Sequence, residues 1–136
     1  MFLLDTNTCI HYLNGAQPVL TRRVLTVGPD ALAVSTLTVG ELHFGAARSS
    51  RPEANRERLA VFFRELTLIP FDAACGERFG RIKAELADSG HPIPDFDVAI
   101  AATAMTTGRV LVSEDRRHMP RIPGLPLEHW LPDGSD

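Results

Sequence analysis

An α/β sandwich, with a central, mainly parallel sheet covered by helices on both faces, is the fold class the sequence predicts. Short apolar runs alternate with longer segments whose apolar residues recur at helical spacing, the pattern of strands joined by helical crossovers. Such crossovers are almost always right-handed, which delivers successive strands in parallel. The chain has 136 residues, 44% of them apolar, enough for one substantial core and too few for two ordinary ones.

Each element has its own local signal. Phe2-Leu3-Leu4 is a strand-like apolar run that stops at Asp5. Thr6-Asn7-Thr8 opens a helical segment over 9–13, closed by Asn14-Gly15. Residues 18–27 form a second helix, Leu32-Ala33-Val34 a second strand, and Ser35-Thr36 the N-cap pair of a helix running to Arg48. Ser49-Ser50-Arg51-Pro52 breaks that helix, and 53–65 resumes as an arginine-rich one with Leu59, Phe62, Phe63 and Leu66 on its apolar side. Residues 67–71 read as a third strand. Asp72 caps the next helix, where Cys75, Phe79, Ile82 and Leu86 recur at helical spacing.

Ser89-Gly90-His91-Pro92-Ile93-Pro94 is a loop, and a helix follows from Asp95 or Phe96 to Met105, stopped near Gly108. Residues 109–112 form a fourth strand, 113–119 a polar turn, and 125–127 a short last strand. With no repeat or internal boundary visible, residues 1–131 are expected to form a single domain and 132–136 a short frayed tail.

Composition narrows the function classes. Mean hydropathy is −0.02, and no apolar run approaches the roughly 18 residues of a spanning helix. The N-terminus lacks a basic segment and Asp5 interrupts its apolar run, so a cytoplasmic location without a signal peptide is expected. Cys9 and Cys75 are too few for a disulfide scaffold and read as small buried apolar residues. With 14 basic against 17 acidic residues the net charge is −3, which disfavours a non-specific nucleic-acid binder. Local patches remain open, and Lys83 is the sole lysine among arginines that suit bidentate phosphate contacts.

Four acids stand where a ligand site is expected. In an open parallel sheet that place is the crevice outside the carboxyl ends of the strands. Asp5 follows the first strand and Asp115 the fourth, Asp97 lies in the first turn of the helix leading into the fourth, and Glu41 sits inside the helix after the second. Each admits a structural role: Asp5 as a cap, Asp97 as a partner of the helix dipole, Asp115 as a turn residue. Glu41 shares a stripe with Leu37 and Phe44, which puts a carboxylate at the edge of the core or facing a cleft. Asp95 reads as an N-cap in preference to an auxiliary ligand. Four converging carboxylates repel one another unless a cation neutralises them, and oxygen donors suit Mg²⁺ or Mn²⁺. Paired Cys or His spacings for zinc, a Walker loop and a nucleophile elbow are all absent from the sequence.

Leu3-Leu4-Asp5-Thr6-Asn7, Glu41-Leu42 after Ser35-Thr36, Asp97-Val98-Ala99-Ile100-Ala101-Ala102 and Leu111-Val112-Ser113-Glu114-Asp115 together resemble the PIN-domain ribonucleases, in particular the VapC-type toxins of type II toxin–antitoxin pairs. The segment from Ile122 to Trp130 also looks like that group's ending. The resemblance implies a PIN-like three-layer α/β/α sandwich and a metal-dependent endoribonuclease. Asp5, Glu41, Asp97 and Asp115 match the metal-binding and catalytic acids, supported by Thr6, Asn7 and Ser113, where the family often has threonine at the last position. It further implies Mg²⁺ (or Mn²⁺) as cofactor, RNA as substrate, a homodimer, and a cognate antitoxin whose C-terminal segment occupies the active-site groove.

Arg116 and Arg117 are candidates to hold flanking phosphates. The cluster Arg48, Arg51, Arg56, Arg58 and Arg64 reads more simply as a solvated helix face, and Trp130 as a packing anchor in preference to a base-stacking ring. His11, His43 and His118 are assigned no role. Two rival classes keep the fold: a catalytically silent RNA- or protein-interaction module, and an acidic-pocket phosphoryl-transfer enzyme. A receiver domain needs a lysine near the last core strand, where Lys83 does not lie, and a dehalogenase-type phosphatase needs an aspartate where Asn7 stands.

Overall fold

A computed structural model of the chain describes residues 1–132, so the predicted tail lies, Pro132 apart, outside the described residues. The elements run β1 (Phe2–Leu4), α1 (Thr6–Asn14), α2 (Pro18–Val27), β2 (Leu32–Ser35), α3 (Thr36–Ala47), α4 (Pro52–Arg64), β3 (Thr67–Ile69), α5 (Ala73–Asp88), α6 (Asp95–Thr106), β4 (Val110–Val112) and β5 (Leu127–Glu128). The strands form one five-stranded sheet in the order β3-β2-β1-β4-β5, and every pairing is parallel.

The chain winds outward from β1 to β2 and β3, then crosses to β4 on the other side of β1. The order therefore reverses between β1 and β4, and the crevice at their carboxyl ends is the switch point where open α/β sheets bind ligands. Strand alternation divides the core into two layers. Leu3, Ala33 and Leu111 point into one layer with Ile82 and Leu86 of α5 and Val98 and Ile100 of α6. Leu4, Val34 and Val112 point into the other with Cys9 of α1, Leu20 of α2, Leu42 of α3 and Phe63 of α4. This is the three-layer α/β/α arrangement.

Four local expectations shift. The first helix starts at Thr6 instead of residue 9, because Asp5 Oδ1 accepts the Thr8 backbone N–H at 2.8 Å and so caps it one turn earlier. β3 ends at Ile69, since Pro70 has no N–H to continue the ladder. β5 lies at Leu127–Glu128, because Gly124 (φ 76°) turns the chain and Leu125 bonds back to Ile122 at 3.3 Å. The cap of α6 is Pro94, so Asp95 is a first-turn residue; its carboxylate pairs with Lys83 at 3.1 Å on the surface.

Candidate active site

Asp5 leaves β1 directly into α1. It is 6% exposed, and its backbone N–H donates to Val112 O of β4 at 3.1 Å, which pins the acid at the β1–β4 crevice. Burial is the main influence on its carboxyl and pushes it above the ordinary aspartate range, with the Asp115 charge adding to the rise. Hydrogen bonds from the Ser113 and Thr8 side chains and the Thr8 backbone N–H oppose that rise. Asn retains the capping oxygen and Ala does not, so Asp5→Ala is expected to unfold at lower urea than Asp5→Asn, by about 1 kcal/mol in equilibrium melts.

Ser113 is fully buried at the end of β4. Its hydroxyl bonds Asp5 and accepts the Asp115 backbone N–H at 3.1 Å, so one side chain ties the two strand-end acids together. Asp115 Oδ1 accepts the backbone N–H groups of Arg117 at 2.9 Å and His118 at 2.8 Å, and Oδ2 lies 3.1 Å from His118 Nδ1. Burial alone would raise this carboxyl, but those N–H groups and the His118 ring outweigh it and hold Asp115 below the ordinary range.

Asp97 enters from the N-terminus of α6, a helix with every residue from Val98 to Ala104 buried. Of the two first-turn acids, Asp95 turns to Lys83 on the surface, whereas Asp97 is half-buried beside Asp115 and His118. The Asp97 carboxyl is raised, first by burial and then by the charges of Asp115, Asp5 and Glu41, with His118 opposing. Those influences bring all four predicted acids into one electrostatic neighbourhood.

Glu41 reaches it from α3, where its Oε1 accepts the Thr6 hydroxyl at 2.5 Å. Thr6 also bonds the buried Thr38 at 3.1 Å. The stripe of Leu37, Glu41 and Phe44 does not face the core. Phe44 is 67% exposed, and the buried face of α3 is Thr38, Leu42 and Ala46. Glu41 is thus a cleft-edge residue.

The other candidates separate. Asn7 is exposed in the first turn of α1. Arg117 is exposed beside Asp115, whereas Arg116 donates to Leu131 O at 2.7 Å and pairs with Glu114 at 3.6 Å. Trp130 is 5% exposed and packs edge-on against Phe2 with ring centroids 5.1 Å apart, which makes it an anchor. Within the arginine cluster, Arg56 pairs with Glu53 at 2.7 Å, and Arg58 donates to Leu13 O at 2.6 Å, as expected of a helix face. Cys9 is buried, its thiol pushed well up by that burial and by Asp5, so it is a neutral packing group. Lys83, on α5 and paired with Asp95, supplies no cation to the acids.

Two features escape a linear reading. His118 stands with Asp97 and Asp115, ligand atoms of all three lying within 4.8 Å of one another; its place three residues after Asp115 was the one available signal. The second is the C-terminal strap. His129 Nδ1 lies 2.6 Å from Ser113 O, and the Trp130 backbone N–H donates to Glu114 Oε2 at 2.7 Å. These bonds, with Arg116 on Leu131, fasten the loop that carries Asp115.

The family model for the PIN domain matches residues 2–125. The chain belongs to the PIN domain family. This PIN domain is 34% identical over 129 residues to the tRNA(fMet)-specific endonuclease VapC of Shigella flexneri, covering 95% of this chain and 97% of that protein. It is also 34% identical over 130 residues to ribonuclease VapC2 of Haemophilus influenzae, covering 96% of this chain and 98% of that protein. Among solved structures, VapBC2 of Rickettsia felis bound to a DNA fragment from its promoter superposes with a TM-score of 0.89 at 29% identity, covering 95% of this chain and 98% of that one. Within the family, then, the chain is of the VapC group. Among the described residues, no helix is long and apolar enough to cross a membrane.

Proposed function

We propose that this chain is the toxin of a type II toxin–antitoxin pair, a divalent-metal-dependent endoribonuclease acting through Asp5, Glu41, Asp97 and Asp115. The observation that carries the reading is geometric: Asp97 and Asp115 offer ligand atoms within 4.8 Å of each other, Ser113 ties Asp115 to the strand-end Asp5, and Thr6, next to Asp5, holds Glu41. Carboxylates gathered in a half-dry crevice repel one another without a cation and form a binding site with one. Mg²⁺ or Mn²⁺ suits these oxygen donors: Asp5, Glu41 and Asp97 would hold it directly or through water, and Asp115 would complete the site. When bound, such a cation makes water acidic enough to attack and screens the charge of the scissile phosphate.

The remaining work falls to the chain itself. Thr6 holds Glu41 by its 2.5 Å hydrogen bond, and Ser113 fixes the spacing of Asp5 and Asp115. Asp97, half-buried beside Asp115 and His118, serves as the carboxylate that orients the attacking water. Arg117, exposed beside Asp115, is placed for the flanking phosphate of the RNA; Arg116, engaged with Leu131 and Glu114, acts mainly to hold the loop. In-line attack leaves a 5′-phosphate and a 3′-hydroxyl. Incubating purified protein with total RNA and Mg²⁺ or Mn²⁺, then mapping the ends, tests this. The Shigella relative's name makes initiator transfer RNA the first substrate to assay. Absence of metal-stimulated cleavage in any RNA class, or cleavage ends of the opposite polarity, contradicts the mechanism.

Two apolar surfaces suit the partners. A cleft of about 510 Å³ lies among α1, α2 and α4, lined by Leu13, Val24, Leu25, Val61 and Leu66. It shares Leu13 and Arg58 with a second cleft of about 300 Å³ that leads to Glu41. An antitoxin segment laid along both would bury exposed Leu25 (69%) and Val61 (56%) and end at the acids. Leu25→Asp is expected to weaken antitoxin binding at least about tenfold in calorimetry, since it puts a charge into an apolar contact. The second surface, a cleft of about 200 Å³ lined by Leu37, Phe71, Phe79 and Phe96, is the one we assign to homodimer contact. Phe96→Asp should convert the dimer to monomer in sedimentation equilibrium.

A further inference from the structure

We propose that His118 is itself a ligand of the divalent cation, that Asp115 completes the site by positioning this imidazole as well as by offering its remaining lone pairs, and that the imidazole biases the site toward manganese over magnesium. The inference rests on the metal-dependent reading above and names a ligand outside the four acids.

Three observations carry it. First, a ring nitrogen of His118 and one carboxylate oxygen each of Asp97 and Asp115 lie within 4.8 Å of one another, a spacing one ion can bridge. Second, Asp115 is already heavily engaged. Its Oδ1 accepts two backbone N–H groups and its Oδ2 faces His118 Nδ1, so few of its lone pairs remain for a cation. A carboxylate on one ring nitrogen fixes the tautomer and leaves the other nitrogen with its lone pair, the usual support of a ligating histidine.

Third, the ring is held before any ion arrives. The His118 backbone N–H and Nδ1 both contact Asp115, and the next residue, Met119, is 1% exposed in the core beside α6. At 29% side-chain exposure, His118 is still open to solvent on one side. Selectivity follows from donor chemistry. Mg²⁺ takes oxygen donors and keeps much of its water; Mn²⁺ also favours oxygen but, as a first-row transition ion, accepts one imidazole nitrogen more readily than Mg²⁺ does.

Pulsed electron paramagnetic resonance on the Mn²⁺-loaded full chain tests this without using activity. Coupling to an imidazole nitrogen is expected in the wild type and absent in both His118→Ala and His118→Glu. By calorimetry, the ratio of Mn²⁺ to Mg²⁺ affinity should fall about tenfold in His118→Ala. It should fall in His118→Glu as well, because a carboxylate restores an oxygen donor. Mn²⁺ bound without nitrogen coupling in the wild type would overturn the histidine ligand and leave the metal-dependent reading standing. Coupling that persists in both variants would likewise overturn it. Failure of Mn²⁺ to bind at all would overturn both.

Discussion

Asp97→Asn is expected to lower RNA cleavage by more than about 100-fold, beyond what loss of a ligand's supporting partner does, while raising the thermal midpoint of the metal-free protein. The two effects have one cause. Burial and the charges of Asp115, Asp5 and Glu41 make an ionised Asp97 unfavourable in the fold, and burial does the same for Asp5. Asparagine removes the charge and keeps the shape, so the unloaded fold is relieved while the cation loses a ligand.

Linkage gives the matching pH dependence. The folded-state carboxyls of Asp5 and Asp97 sit above their unfolded values. Their contribution to stability is therefore fully present below the unfolded values and is lost as pH rises through the folded ones. Metal-free protein should melt higher at mildly acidic pH than at neutrality, Mg²⁺ should narrow that difference, and Asp97→Asn should narrow it without metal. Asp115, held low, behaves oppositely. Its contribution is present above the ordinary aspartate value and disappears only as pH falls through its lower folded one. Thermal scans across pH, with and without Mg²⁺, read both signs. A metal-free midpoint that falls in Asp97→Asn would contradict convergence of the acids.

Trp130→Ala should be the more damaging change to the fold, costing about 3–5 kcal/mol and on the order of 10 °C in thermal midpoint. The indole is 5% exposed. It meets Phe2 edge-on, lies under the Arg23 guanidinium at 4.9 Å, and donates Nε1–H to Glu128 at 3.0 Å. Removing it leaves a cavity against β1 and unseats Arg23, which also pairs with Glu128 at 3.3 Å. The variant keeps the backbone N–H that holds Glu114, one residue before Asp115, but loses the ring that anchors that stretch of backbone, so cleavage should fall even at temperatures where the variant is folded. Trp130→Phe keeps the stack and loses one hydrogen bond, a change of about 1 kcal/mol. Urea melts of the two variants separate packing from hydrogen bonding. A loss below about 1 kcal/mol in Trp130→Ala would mean the strap is not structural.

The order of elements was legible in the residues because its signals are local. Asp72 and Ser35 cap their helices, Pro52 and Gly15 punctuate, and Leu3-Leu4 and Leu111-Val112 alternate between the two core layers. Asp5 was both things it could be, a cap and a crevice acid, since one carboxylate has lone pairs enough for a backbone N–H and a site. Local signals also misled. Asp95 looked like a cap, but a proline preceded it. Counting by three and four placed Glu41 on an apolar stripe that in fact faces outward, because periodicity identifies a face of α3 without saying what lies opposite.

What the sequence by itself determined was the set of strands and helices and where along them the four candidate acids fall, since dihedral preference, capping and periodicity act over a few residues. Only the tertiary structure decided the order β3-β2-β1-β4-β5, the meeting of Glu41 with Thr6, the approach of His118 to Asp97 and the strap from Trp130 to Glu114. These contacts join residues far apart in the chain or in irregular turns. They are set by which surfaces bury one another when the sheet assembles, a choice that no short stretch of chain encodes.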